Sequence, residues 1–357
     1  MGASTFGTNH PLAVKLWSRK LFQEALKACY FNKFVGEGSS NLIQLKTDTQ
    51  KGPGDRITIG LRMQLSGTGI AGDDTLEGNE EALTTYNDNV LIDQLRHAVV
   101  SGGKMTEQRI PFSVREEARQ GLTDWWADRL DTALFNQLAG FTTVSDLRLS
   151  GQNATVAPTA TTRIICGGGE ATEASLSATT THQLTLADID KVVARIKVAS
   201  PMFRPCKVEG KDYYVGFIHP YQTYRLRQQT SAGQWADIQA SLLKGGQAMR
   251  DNPIFSGALG IYNGVILHES ARVPIIAGTP ASGSATDYRR AIICGAQAAA
   301  VAFGQNNTDS KMSWVEEQFD YGNKLGVSAG SIFGVKKTVF NSTDFATHVI
   351  SSYAPAL

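Results

Sequence analysis

Hydrophobic and polar residues alternate most regularly from Asp55 to Leu65, directly after the turn at residues 51–54. Successive side chains of a β-strand point to opposite faces, so this alternation predicts a strand with one buried and one exposed face. Such a strand would be about 36 Å long, because each residue adds about 3.3 Å. The predicted buried set is Ile57, Ile59, Leu61, Met63 and Leu65, and the predicted exposed set is Arg56, Thr58, Gly60, Arg62 and Gln64.

A second, looser alternation from Thr84 to Val100 predicts the returning strand of a β-hairpin. The connecting segment, residues 66–78, is rich in Gly and in acidic residues. A ribbon of only two strands is marginally stable by itself in water. We therefore expect this long hairpin to lie on a partner.

Five carboxylates fall within nine residues at the hairpin tip. Their spacing does not match a calcium-binding loop, which needs alternating ligands, a central Gly and a bidentate Glu. Two interpretations stay open. A solvated loop is favoured, because surface ion pairs contribute little. The alternative is a set of ion pairs between subunits, formed by Asp73, Asp74, Glu77, Glu80 and Glu81 with Arg56 and Arg62.

The segment from Ser113 to Ala139 predicts one long helix of about 40 Å. Ser113 and Glu116 have the spacing of a capping box, and Gly140 is placed to end the helix. Adjacent Trp residues could form a platform for a ligand, but on a helix they more simply widen the apolar stripe. The predicted core positions are Leu122, Trp125, Trp126, Leu130 and Leu134, and the predicted opposite face carries Arg115, Glu117, Arg119, Asp124, Asp128 and Asp131.

The remaining patterns predict shorter elements. A composition rich in Ser, Thr, Ala and Gly from Thr142 to Thr181 indicates an exposed excursion with one short strand, Arg163–Cys166. The apolar segment Ala291–Phe303 is a buried helix or a buried strand, which periodicity does not decide. Helices are predicted at 12–30, 185–198 (capped by Thr185 with Asp188) and 234–244, and strands at 213–219, 264–268 and 332–340.

Composition describes a folded, soluble chain. Its 357 residues carry 34 basic and 33 acidic side chains, for a formal net charge of +1. Direct binding of nucleic acid usually requires a clustered positive excess, so we expect no more than non-specific contact with DNA. The absence of a signal peptide or a bilayer-length apolar stretch predicts folding in the cytoplasm. The four Cys residues have no CxxC spacing and suit a reducing compartment, although disulfides stay open.

No motif for catalysis, a metal or a cofactor is present, and we expect none of the three. The cluster Gly167–Gly169 lacks the Lys-Ser or Lys-Thr of a phosphate-binding loop and is interpreted as a turn. His268 and Glu269 could begin a metal or acid–base site, but none of the six His residues has a second ligand two to four positions after it. An ordinary hydrogen bond at a strand end is therefore favoured for His268.

The order of these parts resembles the Johnson (Hong Kong 97-like) coat fold of tailed-phage and herpesvirus shells, an α+β fold. More closely, the chain resembles the major capsid protein family of podoviruses related to coliphage N-four. The blocks that carry this resemblance are AVKLWS (13–18), GDRIT (54–58), LRMQLSG (61–67), GDDTLEGNEE (72–81), DQLRH (93–97), DWWADRLD (124–131) and FGVKK (333–337).

The resemblance implies a division of the chain. Residues 1–41 would be the N-terminal arm and 42–100 the extended β-hairpin loop, which lies across the adjacent subunit. Residues 101–200 would be the peripheral domain, with a spine helix at 113–139 and the excursion at 142–181. Residues 201–304 would form the axial domain, and 305–357 would return to the peripheral domain.

The resemblance also implies a structural protein and not an enzyme. Such a subunit self-assembles into hexamers and pentamers and forms an icosahedral phage head around double-stranded DNA. The expected partners are copies of itself, a separate scaffolding protein, a portal, a decoration protein and packaged DNA, without a membrane. The expected location is the virion capsid, assembled in the cytoplasm of the bacterial host.

Three further points follow from the resemblance. One member of this fold joins its subunits by a Lys–Asn isopeptide bond, and Lys46 or Lys51 would be the candidates here. Because no catalytic Glu or partner Asn can be assigned, we expect no cross-link. A nanocompartment shell of the same fold, or an α+β enzyme of an unrecognised class, are the alternative functions.

Overall fold

The computed structural model describes residues 29–46, 54–62, 65, 67–111, 113–160, 162–199, 203–208, 210–228, 253–304 and 311–357. Two β-sheets and one long helix are the main elements of this part of the chain. The helices predicted at 12–30 and 234–244 lie outside the described residues, except that Tyr30–Phe34 forms a short 3-10 helix.

Helices α1 to α4 are Lys104–Arg109, Val114–Ala139, Leu186–Lys197 and Pro220–Gln228. Strands β1 to β17 are Val35–Gly36, Ile43–Lys46, Arg56–Arg62, Thr85–Leu91, Asp93–Val100, Ile164–Cys166, Cys206–Val208, Lys211–Ile218, Ala258–Tyr262, Val265–Glu269, Tyr288–Cys294, Ala299–Phe303, Ser313–Phe319, Lys324–Lys337, Val339–Phe340, Thr343–Asp344 and Thr347–Tyr353.

Strand β14 is the centre of a six-stranded sheet. One edge of β14 pairs antiparallel with β12 and β13, and its other edge pairs antiparallel with β5. Strands β2 and β1 extend the sheet beyond β12 with parallel pairing. Strands β3 and β4 form a separate antiparallel hairpin. Because β5 follows β4 almost directly in the chain, the six-stranded sheet carries this hairpin.

The second sheet has seven strands in the order β6-β17-β11-β8-β10-β9, with β7 paired to β8. Its core contacts the long helix α2 through aromatic rings. Phe31, Phe135 of α2 and Phe217 of β8 pack with ring centroids 4.6 to 5.8 Å apart. Nearer the middle of α2, the buried ring of Trp126 packs edge-on against Phe333 of β14 at 5.7 Å. Helix α2 therefore contacts both sheets.

Helix α2 has nearly the predicted bounds and ends at Gly140, as predicted. Gly140 is left-handed, with φ of 61°. Its N–H donates to Gln137 O at 3.1 Å, and the N–H of Phe141 donates to Asn136 O at 3.0 Å. These two bonds form a Schellman motif, which satisfies carbonyls that the end of a helix leaves open.

Two predictions for α2 were wrong. The Ser113 side chain makes no capping hydrogen bond, and Glu116 instead accepts a bond from Arg119 Nε at 3.3 Å. Asp131 is fully buried and does not face solvent. Its carboxylate accepts hydrogen bonds from the N–H groups of Tyr30 and Phe31, at 2.8 and 3.2 Å. Helical periodicity did not reveal this partner segment, which is 100 residues away in sequence.

Most of the shorter elements are close to the prediction. Helix α3 has the expected capping box between Thr185 and Asp188, and the strands predicted near 213–219, 264–268 and 332–340 are present as β8, β10 and β14 with β15. The segment 291–303, for which periodicity did not decide between helix and strand, contains the end of β11 and all of β12. The chain turns between them at Gly295, where a Cβ would lie 2.4 Å from Arg204 O. The cluster Gly167–Gly169 forms a 3-10 turn.

The prediction of an exposed excursion at 142–181 was wrong in part. Many of its residues are exposed, but residues 150–153 and Leu176 are buried. Strand β6 is present near the predicted position and pairs parallel with β17. A small, polar composition does not by itself indicate exposure, because such side chains also hydrogen-bond to backbone groups inside the subunit, as Thr155 Oγ1 does to Phe141 O at 2.9 Å.

Candidate functional site

Strand β3 has the alternation that its sequence predicts. The returning strand predicted at 84–100 was wrong in part, because β4 ends at Leu91 and β5 pairs with β14 instead of β3. The register of the β3–β4 hairpin runs from Arg56 paired with Leu91 to Arg62 paired with Thr85. Ile57 and Leu61 are buried and Ile59 is half-buried, whereas Arg56 and Arg62 are exposed on the opposite face. The described part of the strand ends at Arg62, and the predicted positions Met63 and Gln64 lie outside the described residues. The prediction that Leu65 is buried was wrong, because its side chain is exposed.

The base of the hairpin is attached to the six-stranded sheet by an apolar cluster. Ile57, Val90 and Ile92 pack with Ala300 and Ala302 of β12. All five side chains are less than 10% exposed. The hairpin therefore does not rely on its own two strands for stability, because part of its inner face is covered by the same subunit.

Polar contacts strengthen this attachment. The Asp88 carboxylate pairs with Lys336 Nζ and also accepts a hydrogen bond from Val339 N at 3.1 Å. Lys336 Nζ donates a second bond to Asn89 O at 2.8 Å. Because Lys336 belongs to β14, the hairpin and the central strand are joined by charge as well as by apolar contacts.

The tip of the hairpin, residues 67–84, contains turns but no strand, and all of these residues are exposed. Two of the predicted acidic residues stabilise the tip itself. Glu81 Oε2 accepts a hydrogen bond from Gly67 N at 2.7 Å, and Glu80 Oε2 accepts one from Gly78 N at 2.9 Å. The other three carboxylates, those of Asp73, Asp74 and Glu77, are also in the exposed tip.

Exposed apolar side chains concentrate in two places. Among the described residues, ten of the fifteen large hydrophobic side chains that are exposed belong to them. The tip patch consists of Leu65, Ile70, Leu76 and Leu83. The sheet-end patch lies near the end of β5, α1 and the β13–β14 turn, and strand register puts Val99 on the opposite sheet face from Val100, Val315 and Phe319. It consists of Val99, Val100, Met105, Val315, Phe319 and Tyr321.

The five predicted core positions of α2 lie inside the subunit. Trp125 is half-buried, and its ring stacks on His97 of β5 with centroids 4.5 Å apart. The Arg129 guanidinium lies over the same ring at 5.3 Å. Protein groups therefore occupy this Trp pair, which leaves no platform for a ligand. The other four positions, Leu122, Trp126, Leu130 and Leu134, are buried.

Two titratable groups of the interior, His268 and Asp131, are held in hydrogen bonds. His268 is fully buried, and its Nε2 lies 2.8 Å from Ile254 O, which confirms the predicted hydrogen bond. Burial, with Lys33 nearby, lowers the pKa of His268 to about 4. Burial raises the pKa of Asp131, while its hydrogen bonds and Arg272 act in the opposite direction.

All four Cys residues are buried and none forms a disulfide. Burial raises the pKa of Cys166 and of Cys206 to about 12, and it also raises the pKa of the Cys29 and Cys294 thiols. Because the thiolate is the reactive form, these side chains are chemically inert.

In the part of the chain that the structure describes, no group of three or more His, Cys, Asp or Glu side chains is placed to hold a metal ion. Within the same ranges, every helix is too short or too polar to cross a bilayer. The surface with the clearest functional character is therefore the hairpin tip.

Comparison with known proteins gives this surface a context. A family model described as phage capsid protein matches residues 5–356. The chain belongs to the phage capsid protein family. The major capsid protein of Pseudomonas phage KPP25 is 31% identical over 371 residues, which covers 96% of this chain and 94% of that protein. This phage capsid protein is therefore a structural component of a virion, and its family is not one of enzymes.

Solved structures agree with this family. The capsid of Ralstonia phage GP4 has a TM-score of 0.80 and 32% identity, and the match covers 99% of both chains. The capsid of cyanophage Pam1 has a TM-score of 0.71 and 23% identity, with 93% of this chain and 94% of that chain covered. The phage capsid protein thus has the α+β, Hong Kong 97-like fold that its sequence predicts.

Proposed function

We propose that this phage capsid protein is the major subunit of an icosahedral head, and that its β3–β4 hairpin holds adjacent subunits together. The subunit would assemble into hexamers and pentamers around double-stranded DNA. The observation that carries the proposal is the contrast within the hairpin. Its base is covered by its own subunit, whereas its tip exposes five carboxylates and, together with the nearby Leu65, four apolar side chains.

The two exposed patches suit repeated contact between copies. The tip patch and the sheet-end patch are different surfaces of one chain. A contact between the tip patch of one copy and a different surface of the next copy is head-to-tail and need not be self-complementary. Head-to-tail contacts of this kind close into rings when the rotation allows it. A standard interface buries about 1,600 Å² in total, and an extended hairpin supplies such an area without a large apolar surface on the free subunit.

Charge at the tip would select the orientation of this contact. Residues 67–84 carry five carboxylates and no Lys or Arg. We propose that these carboxylates approach basic side chains of a neighbouring subunit, with Arg56 and Arg62 of the outward hairpin face as the candidates. Complementary charges fix register and suppress wrong pairings more than they add affinity.

Finer parts of the proposal rest on the sequence blocks given above. We propose on their basis that the phage is a podovirus related to coliphage N-four, and that the chain consists of an arm, an extended loop, a peripheral domain and an axial domain. The proposed partners are a separate scaffolding protein, a portal and a decoration protein. Assembly would take place in the host cytoplasm, without a covalent cross-link between subunits.

Deletion of residues 66–80 tests the role of the hairpin. We expect a folded subunit, because these residues lie outside the apolar cluster at the hairpin base. Thermal unfolding should therefore change little, whereas negative-stain electron microscopy should show no closed shells. Shells of normal size and yield from this deletion would contradict the proposal.

A pair of substitution variants separates the two interpretations of the acidic tip. The first, Asp73→Asn with Asp74→Asn and Glu77→Gln, removes three charges and keeps the side-chain shapes. The second, Ile70→Ser with Leu76→Ser, keeps the charges and removes two exposed apolar side chains. Loss of shells from the charge variant indicates ion pairs between subunits, and normal assembly from it indicates a solvated loop.

A further inference from the structure

The hairpin joins the six-stranded sheet between Leu91, the last residue of β4, and Asp93, the first residue of β5. Arg56 pairs with Leu91 across the hairpin, and the adjacent pair is closed by a bond from Ile92 N to Asp55 O at 2.9 Å. Hydrogen-bonded and non-hydrogen-bonded pairs alternate along an antiparallel ladder. The N–H and C=O of Leu91 therefore point away from β3.

Asn153 binds both of these backbone groups. Its Oδ1 accepts a hydrogen bond from Leu91 N, and its Nδ2 donates one to Leu91 O, each at 2.9 Å. This is the two-point contact that a neighbouring strand would make, and a single side chain supplies it. Because the two bonds hold opposite ends of one residue, they restrict rotation of the chain at the joint.

Asn153 is itself held from two directions. Its Nδ2 also donates to Gly151 O at 3.1 Å. The main-chain carbonyl of Asn153 accepts a bond from Gln137 Nε2 at 2.7 Å. Gln137 is a fully buried residue of α2. Asn153 is 7% exposed, so water does not readily replace these bonds. Two side chains thus connect the long helix to the joint of the hairpin.

The backbone of β14 closes the other side of the joint. A Cβ added to Gly334 would lie 2.0 Å from Leu91 O, so the two backbones are in close contact there. Together with the pair between Lys336 and Asp88, this contact fixes the position of the joint. The direction of the strand at that position depends on the groups that Leu91 turns outward, and these are bound by Asn153.

We propose that Asn153 is a positioning residue that sets the direction in which the hairpin leaves the sheet. The proposal rests on the proposed function, since only a hairpin that must reach another subunit needs a fixed direction. Without the Asn153 side chain, the base cluster still attaches the hairpin, but β3 and β4 occupy a range of directions. The tip patch then meets a neighbouring subunit less often in the correct place.

The test measures direction in the full-length, unassembled subunit. Spin labels are attached at Thr85→Cys, at the exposed far end of β4, and at Gln120→Cys, on the exposed face of α2. The buried native thiols do not compete for the label. Pulsed electron paramagnetic resonance then gives the distribution of distances. In Asn153→Ala we expect a distribution about twofold broader than in the parent, because Thr85 lies about 20 Å from the joint.

Asn136→Ala is the matched control. Asn136 lies on α2 next to Gln137, and its Nδ2 donates to Leu149 O at 3.0 Å. It therefore holds the segment that contains Asn153 without a contact to the hairpin. Its distribution should equal that of the parent. An unchanged width in Asn153→Ala, or equal broadening in both variants, would overturn the proposal.

A second substitution tests the proposal in case Asn153→Ala folds poorly. Asn153→Asp keeps the shape and the acceptor for Leu91 N, but it presents an oxygen to the carbonyls of Leu91 and Gly151. The same broadening is expected, and failure of both variants to fold would overturn the positioning role. No assembly step is involved, so this result is independent of the variant that lacks residues 66–80. Normal assembly of that variant would contradict the function of the hairpin and not the role of Asn153.

Discussion

Three buried His residues make the stability of the subunit sensitive to acid. Burial lowers the pKa of His219 and of His268 to about 4, and the pKa of His348 to about 3. In the unfolded chain these His residues have the ordinary pKa of about 6.5. At a pH between the folded and the unfolded pKa, the unfolded chain therefore binds more protons than the folded chain. This contribution to stability is complete above about pH 6.5 and is lost as the pH falls toward 4 and below.

His348→Leu tests this effect at one residue. His348 is fully buried, with Arg195 and Arg163 among the charges that lower its pKa. The loss of unfolding free energy between pH 7 and pH 5 should be about 2 kcal/mol smaller in the variant. Chemical denaturation at both pH values measures it, and the comparison removes any packing effect that does not depend on pH. Equal losses in variant and parent would contradict the assignment.

At the scale of elements, the long helix contains two Gly residues with opposite requirements. Gly121 lies in the exposed middle of α2, where an added Cβ would meet nothing within 4 Å. Gly140 ends the helix with positive φ, and an added Cβ would lie 2.5 Å from Val156 O. The first Gly costs helix stability, and the second is needed for the turn and for the close contact.

The same substitution should therefore have opposite signs at these positions. We expect Gly121→Ala to raise the free energy of unfolding by about 0.5–1 kcal/mol, because Ala is the better helix former. We expect Gly140→Ala to lower it by more than about 1 kcal/mol, because positive φ is strained for Ala and the carbonyl must move. Denaturation with urea measures both, and stabilisation by Gly140→Ala would contradict the proposed ending of the helix.

Local patterns explain why these elements could be predicted from sequence. The alternation in β3, the apolar stripe of α2 and the cap of α3 are set by neighbours within a few residues. The capping box at Ser113 failed because Arg119 competes for the Glu116 carboxylate, a choice that spacing alone does not resolve. The tip of the hairpin was found for the same local reason, as a run of acidic and Gly residues.

At the scale of the whole molecule, Arg290 joins three parts of the chain. Its Nη1 donates to the carbonyls of Ala139 and Gly140 at the end of α2, at 3.0 and 2.7 Å. Its Nε and Nη2 bind both oxygens of Glu173 at 2.7 and 2.6 Å. Because Arg290 belongs to β11, this pair links the seven-stranded sheet to the long helix and to the segment 142–181.

Arg290→Met should destabilise the subunit by about 3–5 kcal/mol, since it leaves the carboxylate of Glu173 without its cation in a nearly buried site. Arg148→Ala is the matched control, because the exposed pair of Arg148 with Asp146 should contribute no measurable stability. Thermal unfolding compares the two variants. A similar midpoint for both would contradict the role assigned to Arg290.

These long-range contacts are the part of the fold that the sequence did not indicate. In the sequence, Asn153 and Glu173 are simply polar residues in a segment of small residues, with no pattern that marks either of them. Asp131 was assigned to the wrong face because its partners, Tyr30 and Phe31, lie about 100 residues away. A single sequence contains no signal for such pairs, because each side chain satisfies a group that only the folded chain brings near.

The buried thiols have a consequence for the particle after it leaves its host. Oxidants attack exposed thiolates first, and they convert Cys to sulfenic acid or to mixed disulfides. All four Cys side chains of this subunit are buried. In a shell built from many copies, oxidation of Cys should therefore be slow in air and in oxidising fluids between release and the next infection.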